Sequence, residues 1–459
     1  MSRENEDNSN IKNDSNMQLR REIGLVDLFF MSLGGQAPYL SMLTYATAVL
    51  LLALLFAPIV VIIGTVVVLI NGLGVYFLSK KHDEEGGYFN YAYKVLSKRF
   101  GFETGWIYLF YSLLYAGGYV TGSIFVLTYV VDPFFYIPPL LAFAIVFIPT
   151  SGFLLYGIKP SVKYAVFSAS IELVVLMAII ILSLYYAHFA FYNPFAKIPS
   201  PSFIFLGILF AVGIPTGYGA VTPMSGEVKN AKKDVGKAVI MVILIGGLLE
   251  AMVLYSLVDL GISSHSFGTI ISSSVPVIYI MEKFIGPLTI PLLLFAALND
   301  GILGSLAFLT AFSRTVYSMS SRKLIYSKIS TVHKKTGTPV IAGLIAIISS
   351  AIILIPALIF INSFVIFLAL GSIAGLANLM VHLTANFSLL KSNIIKATRR
   401  SVELGISITG IAVSGFVFLY SLFTSDTYII ELILGFVIIG FIIIEMLDIK
   451  KTNMVLNKS

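Results

Sequence analysis

The chain carries the segment GIPTGYGAVTP (213–223) in the middle of a long apolar stretch, and the segment SLGGQAP (32–38) in the middle of an earlier one. Glycine weakens a helix and proline removes a backbone donor, so each apolar helix is predicted to break at these segments. In lipid, the backbone groups freed by a break must find partners in protein, ligand or water. Breaks at corresponding positions in two halves of a chain are typical of the binding site of a membrane transporter.

The composition of the chain supports a membrane protein. Of its 459 residues, 58% are hydrophobic and 12% are charged, whereas a soluble domain carries about twice that charged fraction. A soluble chain of this kind would expose apolar surface and aggregate, so lipid is the solvent that fits. The chain contains no cysteine, which excludes disulfides, iron–sulfur clusters and thiolate zinc sites.

Apolar runs recur along the whole chain, each near the roughly 20 residues that a membrane-crossing helix needs. The stretch between Glu103 and Asp132 holds no Asp, Glu, Lys or Arg, and neither does the stretch between Lys335 and Lys391. Residues 262–285 are predicted to form an outer loop with short interfacial helices, the alternative being a thirteenth span. We predict twelve spans, at 26–51, 54–79, 103–131, 134–157, 161–190, 203–224, 237–260, 286–318, 338–360, 363–390, 403–424 and 427–447.

The basic residues are segregated, and this segregation orients the spans. With twelve spans and an inner N-terminus, all of the 30 Lys and Arg residues except Lys197 and Lys283 fall on one side. Both termini are therefore predicted to be cytoplasmic, and the chain to lie in the plasma membrane. The predicted parts are a disordered cytoplasmic tail (1–24), one transporter domain (25–449) and a second cytoplasmic tail (450–459). Within the domain, we predict repeat one at about 25–190, repeat two at about 203–390 and two extra helices at about 403–447.

The two breaks suggest how backbone groups would hold a zwitterion. Pro38 suits the first turn of a new half-helix, and Pro223 is predicted to play the same part after the second break. Free N–H groups around Gly34 to Gln36 would attract an anion such as a carboxylate, and unpaired carbonyls would accept hydrogen bonds from an ammonium group. The alternative for each break is a structural kink filled by a water or a Ser side chain. The candidate substrate-binding residues are Ser32, Gly34, Gly35, Gln36, Gly213, Thr216, Gly217 and Tyr218.

Glu172, Glu250 and Asp300 fall inside predicted spans, and burying a carboxylate in the middle of a membrane costs at least about 2.5–3.5 kcal/mol. Glu172 is predicted to couple proton uptake to transport, the alternative being a protonated side chain that only caps loose carbonyls. Asn299 and Asp300 are a candidate ion or substrate site because oxygen ligands suit a sodium ion, and helix packing is the alternative. Glu250 is predicted to be structural or to lie near the outer water layer.

Aromatic residues and histidines give weaker signals. Tyr108, Tyr111 and Tyr115 recur at helical spacing, and they either line a cavity or simply pack. The histidines, among them His382 in a predicted span, lack the spacing of a metal site, so no metal is predicted.

Three segments resemble the amino acid–polyamine–organocation (APC) superfamily of permeases. The resemblance implies an all-α, five-plus-five inverted-repeat (LeuT-type) fold that works by alternating access, with the substrate between spans one, three, six, eight and ten. In this family the position of Glu172 often carries a Lys or Glu that packs against the broken first helix. The segments are 217–238, with GEVKN (226–230) followed by KKD; GGY (86–88) followed by Gly101-Phe102 and Gly105-Trp106; and Ser313-Arg314 with the basic stretch to Thr338-Pro339.

The chain departs from the family pattern at several positions. Ala231 replaces the proline that follows the Glu-Val-Lys-Asn run, and Gly219 stands where the family often has an acidic residue. Gly213 stands where many members have a bulky aromatic gate. Either Phe210 or Tyr218 is then a candidate gate, or the substrate is larger.

The missing motifs narrow the function. The chain lacks the G-x-x-x-x-G-K-[ST] loop of ATP-driven proteins and the H-E-x-x-H motif of metalloproteases. It is predicted not to be an enzyme, to need no cofactor and to bind no nucleic acid. We predict a secondary active transporter of amino acids or related small amines, by symport with a proton or with sodium as the coupling ion. The alternatives are an exchanger of amino acids or polyamines, and a membrane-embedded amino acid sensor without transport.

Overall fold

The computed structural model describes residues 19–273, 275–395 and 401–456. The predicted tails lie outside the described residues except for 19–24 and 450–456. Within the described part, the chain is helical apart from one isolated bridge between Ile23 and Val228, so the prediction of an all-α protein is confirmed.

The helices follow one another with short connections. They are α1 (Leu25–Gln36), α2 (Pro38–Ser41), α3 (Thr47–Ala53), α4 (Ala57–Lys81), α5 (Tyr88–Val95), α6 (Lys98–Val131), α7 (Pro139–Tyr156), α8 (Ile158–Tyr186), α9 (Pro201–Gly213), α10 (Tyr218–Val221), α11 (Ala231–Ser263), α12 (Phe267–Ile271), α13 (Pro276–Ile285), α14 (Thr289–Phe295), α15 (Gly301–Ser321), α16 (Val340–Phe360), α17 (Ser363–Ile395), α18 (Ser401–Thr424) and α19 (Thr427–Leu456). Two π-helical segments, Met42–Ala46 and Ala296–Asp300, and four 3-10 segments, Leu54–Phe56, Thr222–Glu227, Gly286–Leu288 and Ser327–Ser330, complete the set.

Ten helical segments of the described chain are long and apolar enough to cross a membrane, or up to eleven if the bent pair Pro201–Gly213 and Tyr218–Glu227 is one span. One of the ten, Leu25–Lys81, has 57 residues. A straight helix of that length would measure about 85 Å, nearly three times the hydrocarbon core. The segment contains the 3-10 turn Leu54–Phe56, where Leu54 has a positive φ of 51°. The count of twelve spans requires the chain to fold back at this turn, and both the count and the orientation stay predictions.

The stretch after α11 contains the short helices that were predicted there. Helices α12 and α13 have 5 and 10 residues, so neither is long enough to cross a bilayer. The alternative of a thirteenth span is therefore wrong. The structure also adds a helix of eight residues, α5, between the second and third predicted spans. That segment was interpreted as a loop.

The large helices sort into an inner and an outer group. In the most apolar 18 residues of helix α6, 83% of the residues are buried. This helix packs against α5, α15 and α17. In the corresponding stretches of helices α18 and α19, only 28% and 22% of the residues are buried. These helices expose large apolar side chains such as Phe423. Because such surfaces are unstable in water, a lipid environment accounts for them.

Candidate functional site at the two broken helices

The first break lies where the sequence predicts it. Helix α1 ends at Gln36, and Ala37 adopts the left-handed conformation with φ 48° and ψ 65°. Residues other than glycine rarely adopt this conformation, so Ala37 is a strained connection. Pro38 is the first residue of α2, as predicted, because its missing N–H costs nothing at that position.

The prediction of free N–H groups at Gly34 to Gln36 is wrong. These residues form the last turn of α1, and N–H groups in a last turn donate within their own helix. The N–H groups left free by the break belong instead to the start of α2. Tyr39 donates its N–H to Glu172 Oε1 over 2.9 Å, and Leu40 donates its N–H to Asp300 Oδ2 over 2.8 Å.

Glu172 and Asp300 therefore form a carboxyl pair at the break, and both side chains are fully buried. They accept from two successive N–H groups, and Glu172 Oε2 has no hydrogen-bond partner within the described residues. Two carboxylates offer only acceptors, so a hydrogen bond between them requires one proton. With one shared proton, the pair would carry one negative charge, placed against the positive end of α2.

Asn299 links this pair to α8. It donates from Nδ2 to Asp300 Oδ1 over 2.9 Å, and its Oδ1 accepts from the Tyr164 hydroxyl over 2.9 Å and from the Ser168 hydroxyl. Asn299 and Asp300 both lie in a π-helical segment, which often marks a functional site. The structure thus brings Glu172 together with Asn299 and Asp300, which were predicted as a separate candidate site.

The second break also lies in the predicted segment. Helix α9 ends at Gly213, α10 begins at Tyr218, and the two arms are bent by 42°. Pro223 does not open α10. It lies in the first turn of the 3-10 segment Thr222–Glu227, so it has an early-turn position after the break as predicted, but in the element that follows α10.

The two broken helices touch main chain to main chain. A Cβ atom on Gly217 would overlap the carbonyl oxygen of Ser32 and would lie 2.7 Å from the carbonyl carbon of Gly35. On its other side, Gly35 packs against Ala307, and Gly34 packs against Leu303. The glycines are therefore needed for the close approach of α1, α10 and α15 as much as for the breaks.

Replacing Gly217 with alanine is expected to destabilise the protein by about 3 kcal/mol or more, because overpacking usually costs 1–3 kcal/mol and backbone atoms do not yield as side chains do. Thermal unfolding of the purified protein measures the change. Gly152→Ala on α7 is the matched control, because a Cβ there meets nothing within 4 Å. Equal stability of the two variants would contradict the close approach.

Tyrosine hydroxyls donate hydrogen bonds to carbonyls at both breaks. Tyr119 donates to the carbonyl of Gln36 over 2.8 Å, and Tyr108 donates to the carbonyl of Gly219 over 2.8 Å. Tyr115 accepts from the Thr216 hydroxyl over 3.4 Å. The carbonyls that were predicted to be unpaired are thus paired in this conformation, and the tyrosines of α6 do more than pack.

The aromatic side chain next to Gly213 comes from the first broken helix. A Cβ on Gly213 would lie 3.0 Å from Tyr45 Cε1, so the ring of Tyr45 occupies the space beside this glycine. Of the two candidate gates, Phe210 lies near Gly371, where an added Cβ would be within 4 Å of both Phe210 and Tyr45. Tyr218 instead bonds through its hydroxyl to His382 Nε2 over 2.5 Å. No sequence signal distinguishes Tyr45 from the other aromatic residues.

Gln36 and Glu250 are among the buried side chains near the first break that have no partner within the described residues. Both amide atoms of Gln36 and both carboxyl oxygens of Glu250 are unpaired, and both side chains are fully buried. A Cβ on Gly246 would overlap Gln36 Oε1, and Glu250 lies one helical turn further along α11. Of the two predictions for Glu250, its full burial contradicts a position near the outer water, and a structural role stays a prediction. Sequence reasoning noted the residue but gave it no place in the site.

Two of the segments that resemble the permease superfamily meet in the second half of α15. Arg314 donates from Nε to Glu227 Oε2 over 3.0 Å and from Nη2 to Glu227 Oε1 over 2.8 Å. Its Nη1 donates to the Ser313 hydroxyl over 2.9 Å, and the side chains of Arg314 and Glu227 are at most 2% exposed. This bidentate pair ties the end of the second broken helix to α15.

A bundle with two interrupted helices that cross at buried polar groups defines a class of membrane transporters. Residues 27–458 match the family model described as amino acid permease, so the chain belongs to the amino acid permease family, within the APC superfamily. It is a multi-pass membrane protein and a secondary transporter of the APC type, as the resemblance implied.

Comparison with solved structures agrees on the fold. The chain is similar to the crystal structure of a mutant of the manganese transporter of Eremococcus coleocola, with 14% sequence identity and a TM-score of 0.52. The match covers 92% of this chain and 95% of the transporter. At this identity the likeness concerns the fold alone. No curated protein sequence matches the chain.

Proposed function

We propose that the protein is a proton-coupled secondary transporter of small amines, amino acids among them, that works by alternating access in the plasma membrane. The observation that carries the proposal is the bonding of Glu172 and Asp300 to two successive N–H groups of α2. The two carboxyls come from α8 and from the segment before α15, so they join three parts of the chain at the first break.

The proton load of this pair would set how strongly α2 is held. With one proton, the pair keeps one negative charge, which the positive end of α2 stabilises. A second proton removes that charge and weakens the attachment of α2 to Glu172 and Asp300. Proton binding then shifts the balance between two arrangements of the first broken helix, and a substrate that prefers one of them is coupled to the proton.

The donors around Asp300 favour a proton over a sodium ion. Its two oxygens accept from the N–H of Leu40 and from the amide of Asn299. A cation beside these oxygens would face the positive hydrogens of both donors. Asn299 Oδ1 is likewise taken by two hydroxyls, so the oxygens that would ligate sodium are already in use.

Several buried acceptors near the two breaks would suit the amine group of the substrate. Gln36 Oε1 and the carboxyl of Glu250 are buried acceptors without a donor among the described residues. The carbonyls of Gln36 and Gly219 accept from Tyr119 and Tyr108, and an ammonium group would replace those hydroxyls. Groups left unpaired in a buried site are costly, which supports the binding of a ligand there.

Uptake into proteoliposomes of the purified protein tests the proposal. Labelled amino acids and diamines are offered with an inward proton gradient, with an inward sodium gradient and with no gradient, at a clamped membrane potential. The proton gradient is expected to drive accumulation of at least one of these solutes, and the sodium gradient alone is expected to have no effect. Absence of uptake under all three conditions would contradict the proposal, as would accumulation that follows only sodium.

Replacing Glu250 with glutamine is expected to raise the KM for the transported amine by roughly 10-fold to 100-fold, because a hydrogen bond to a charged group contributes about 1.5–3 kcal/mol. The accumulation ratio at saturating substrate is expected to stay at the wild-type value, because Glu250 does not bond to α2. Concentration dependence of the initial uptake rate measures KM. An unchanged KM would remove Glu250 from the substrate site.

A further inference from the structure

A cavity of about 270 Å³ lies where the segment before α1 meets two loops. Its walls come from 20–22, from the α7–α8 connection at 156–160 and from 335–336. All three segments lie on the face that carries the basic residues, which is predicted to be cytoplasmic. The proposed transport and its proton coupling take place at the two breaks, and neither uses this cavity.

The walls of this cavity are positively charged. They include Arg20, Lys159 and Lys335 against a single carboxylate, Glu22, which pairs with Lys159 over 3.1 Å. Arg20 donates to the carbonyls of Lys334 and Lys335 over 2.7 and 3.1 Å, so its guanidinium is held in place. The ammonium group of Lys335 has no partner in the described part of the chain.

A helix begins in the cavity without a cap. Helix α8, with 29 residues, follows Gly157, whose φ is 112°, and no side chain caps its first turn. The N–H groups of an uncapped first turn point out of the helix and attract anions. Only Pro160 in that turn lacks an N–H.

A buried hydroxyl lies beside Gly157, directly behind the wall of the cavity. Thr338 is 1% exposed, and its Oγ1 has no hydrogen-bond partner within the described residues. A Cβ on Gly157 would lie 2.6 Å from this oxygen, so the hydroxyl faces the residue that precedes α8. A buried hydroxyl without a partner is unfavourable unless a ligand completes it.

We propose that this cavity binds a phosphate group, from an anionic lipid headgroup or from free phosphate. Helix N–H groups, the Thr338 hydroxyl and the Lys335 ammonium are all donors, and a phosphate offers several acceptor oxygens with more than one negative charge. Basic pockets between helices on the cytoplasmic side suit phospholipid headgroups in the same way.

A phosphate in the cavity would also tether the segment before α1. Glu22 donates its N–H to the carbonyl of Glu227 over 2.8 Å, and Lys229 donates its N–H to the carbonyl of Ile23 over 2.9 Å. The segment thus lies along the chain that leaves the second broken helix. Bound phosphate adds a link from Arg20 to α8, so it should stabilise the folded protein.

The test uses the full chain in detergent, titrated with inorganic phosphate against chloride at matched ionic strength, with Tm as the readout. Phosphate is expected to raise Tm in the wild type, and Lys335→Gln and Thr338→Val are expected to shift the half-maximal concentration upward by tenfold or more. Thr338→Val should fold normally, because it removes an unpaired hydroxyl and keeps the shape. Lys334→Gln is the matched control, because it makes the same charge change on the same loop outside the cavity wall.

Nanodiscs distinguish the two sources of phosphate. A Tm increase with phosphatidylglycerol over phosphatidylcholine alone, lost in Lys335→Gln and kept in Lys334→Gln, would assign the site to a lipid headgroup. A phosphate effect in detergent without any effect of phosphatidylglycerol would assign it to free phosphate. The proposal is overturned if neither probe changes the wild-type Tm more than chloride does. It is also overturned if Lys335→Gln and Thr338→Val respond as Lys334→Gln does.

Discussion

Replacing Glu172 with glutamine is expected to abolish proton-driven accumulation while leaving the protein folded. A pH difference of one unit is worth about 1.4 kcal/mol per proton, which supports roughly tenfold accumulation of a solute that moves with one proton. Glutamine cannot take a proton, and its NH₂ group favours the charged form of Asp300 by donating to it, so the pair keeps its negative charge and the variant should equilibrate its solute at a ratio near one. Its amide oxygen still accepts the N–H of Tyr39, and its NH₂ donates to Asp300 as the shared proton did. The measurement is the accumulation ratio in proteoliposomes at a clamped membrane potential.

Glu431→Gln is the matched control for this prediction. Glu431 is an exposed carboxylate on α19, away from both breaks, so the same chemical change there should leave accumulation at the wild-type ratio. Counterflow of labelled solute without a pH gradient should persist in Glu172→Gln, which separates lost coupling from lost folding. A wild-type accumulation ratio in Glu172→Gln would reject the coupling role and leave the carboxyl pair a structural cap of α2.

Replacing Arg314 with glutamine is expected to destabilise the protein by about 3–5 kcal/mol, since removal of one partner leaves a buried charge on the other. The partner is Glu227, which accepts two N–H bonds from the guanidinium while at most 2% exposed. Loss of the pair also frees the segment after the second broken helix from α15. The free energy of unfolding in denaturant, or the temperature of aggregation in detergent, measures the change.

The double variant Glu227→Gln with Arg314→Gln decides between a charge effect and a packing effect. Two neutral amides leave no buried charge, so the double variant is expected to be more stable than either single variant. Arg322→Gln is the comparison on the same face, since Arg322 is 21% exposed and pairs with the half-exposed Glu84. Additive losses in the double variant would show that the pair contributes through shape alone.

The breaks in the two helices were predictable because glycine and proline act on their own backbone. Gly213 and Pro38 change the local cost of helix formation whatever surrounds them, so their positions follow from composition. The composition did not determine which backbone groups, N–H or carbonyl, are freed at each break. Local rules place a break within a few residues, and a shift of one turn decides whether N–H groups or carbonyls face it. The N–H groups assigned to Gly34 to Gln36 therefore belong in fact to Tyr39 and Leu40.

For the same reason, the sequence predicted only some of the residues that meet at the site. Glu172 and Asp300 attracted notice because carboxyls are costly in lipid, but their meeting at α2 joins residues 133 and 260 positions apart. Tyr45 beside Gly213 left no signal at all, since aromatic residues are common in every span. Whether Glu250 reaches water depends on the packing of α11, which no local pattern contains.

The sequence by itself determined that the chain is a bundle of apolar helices, that two of them break, and that it resembles the permeases to whose family it belongs. Hydrophobicity and helix breaking depend on each residue and its neighbours along the chain, so they are visible in one dimension. Only the tertiary structure decided which groups meet at the breaks. Glu172 and Asp300 take the N–H groups of α2, tyrosines take the carbonyls, and Glu227 takes Arg314. Those contacts depend on how distant helices rotate and slide against each other, and that freedom is removed only when the whole bundle packs.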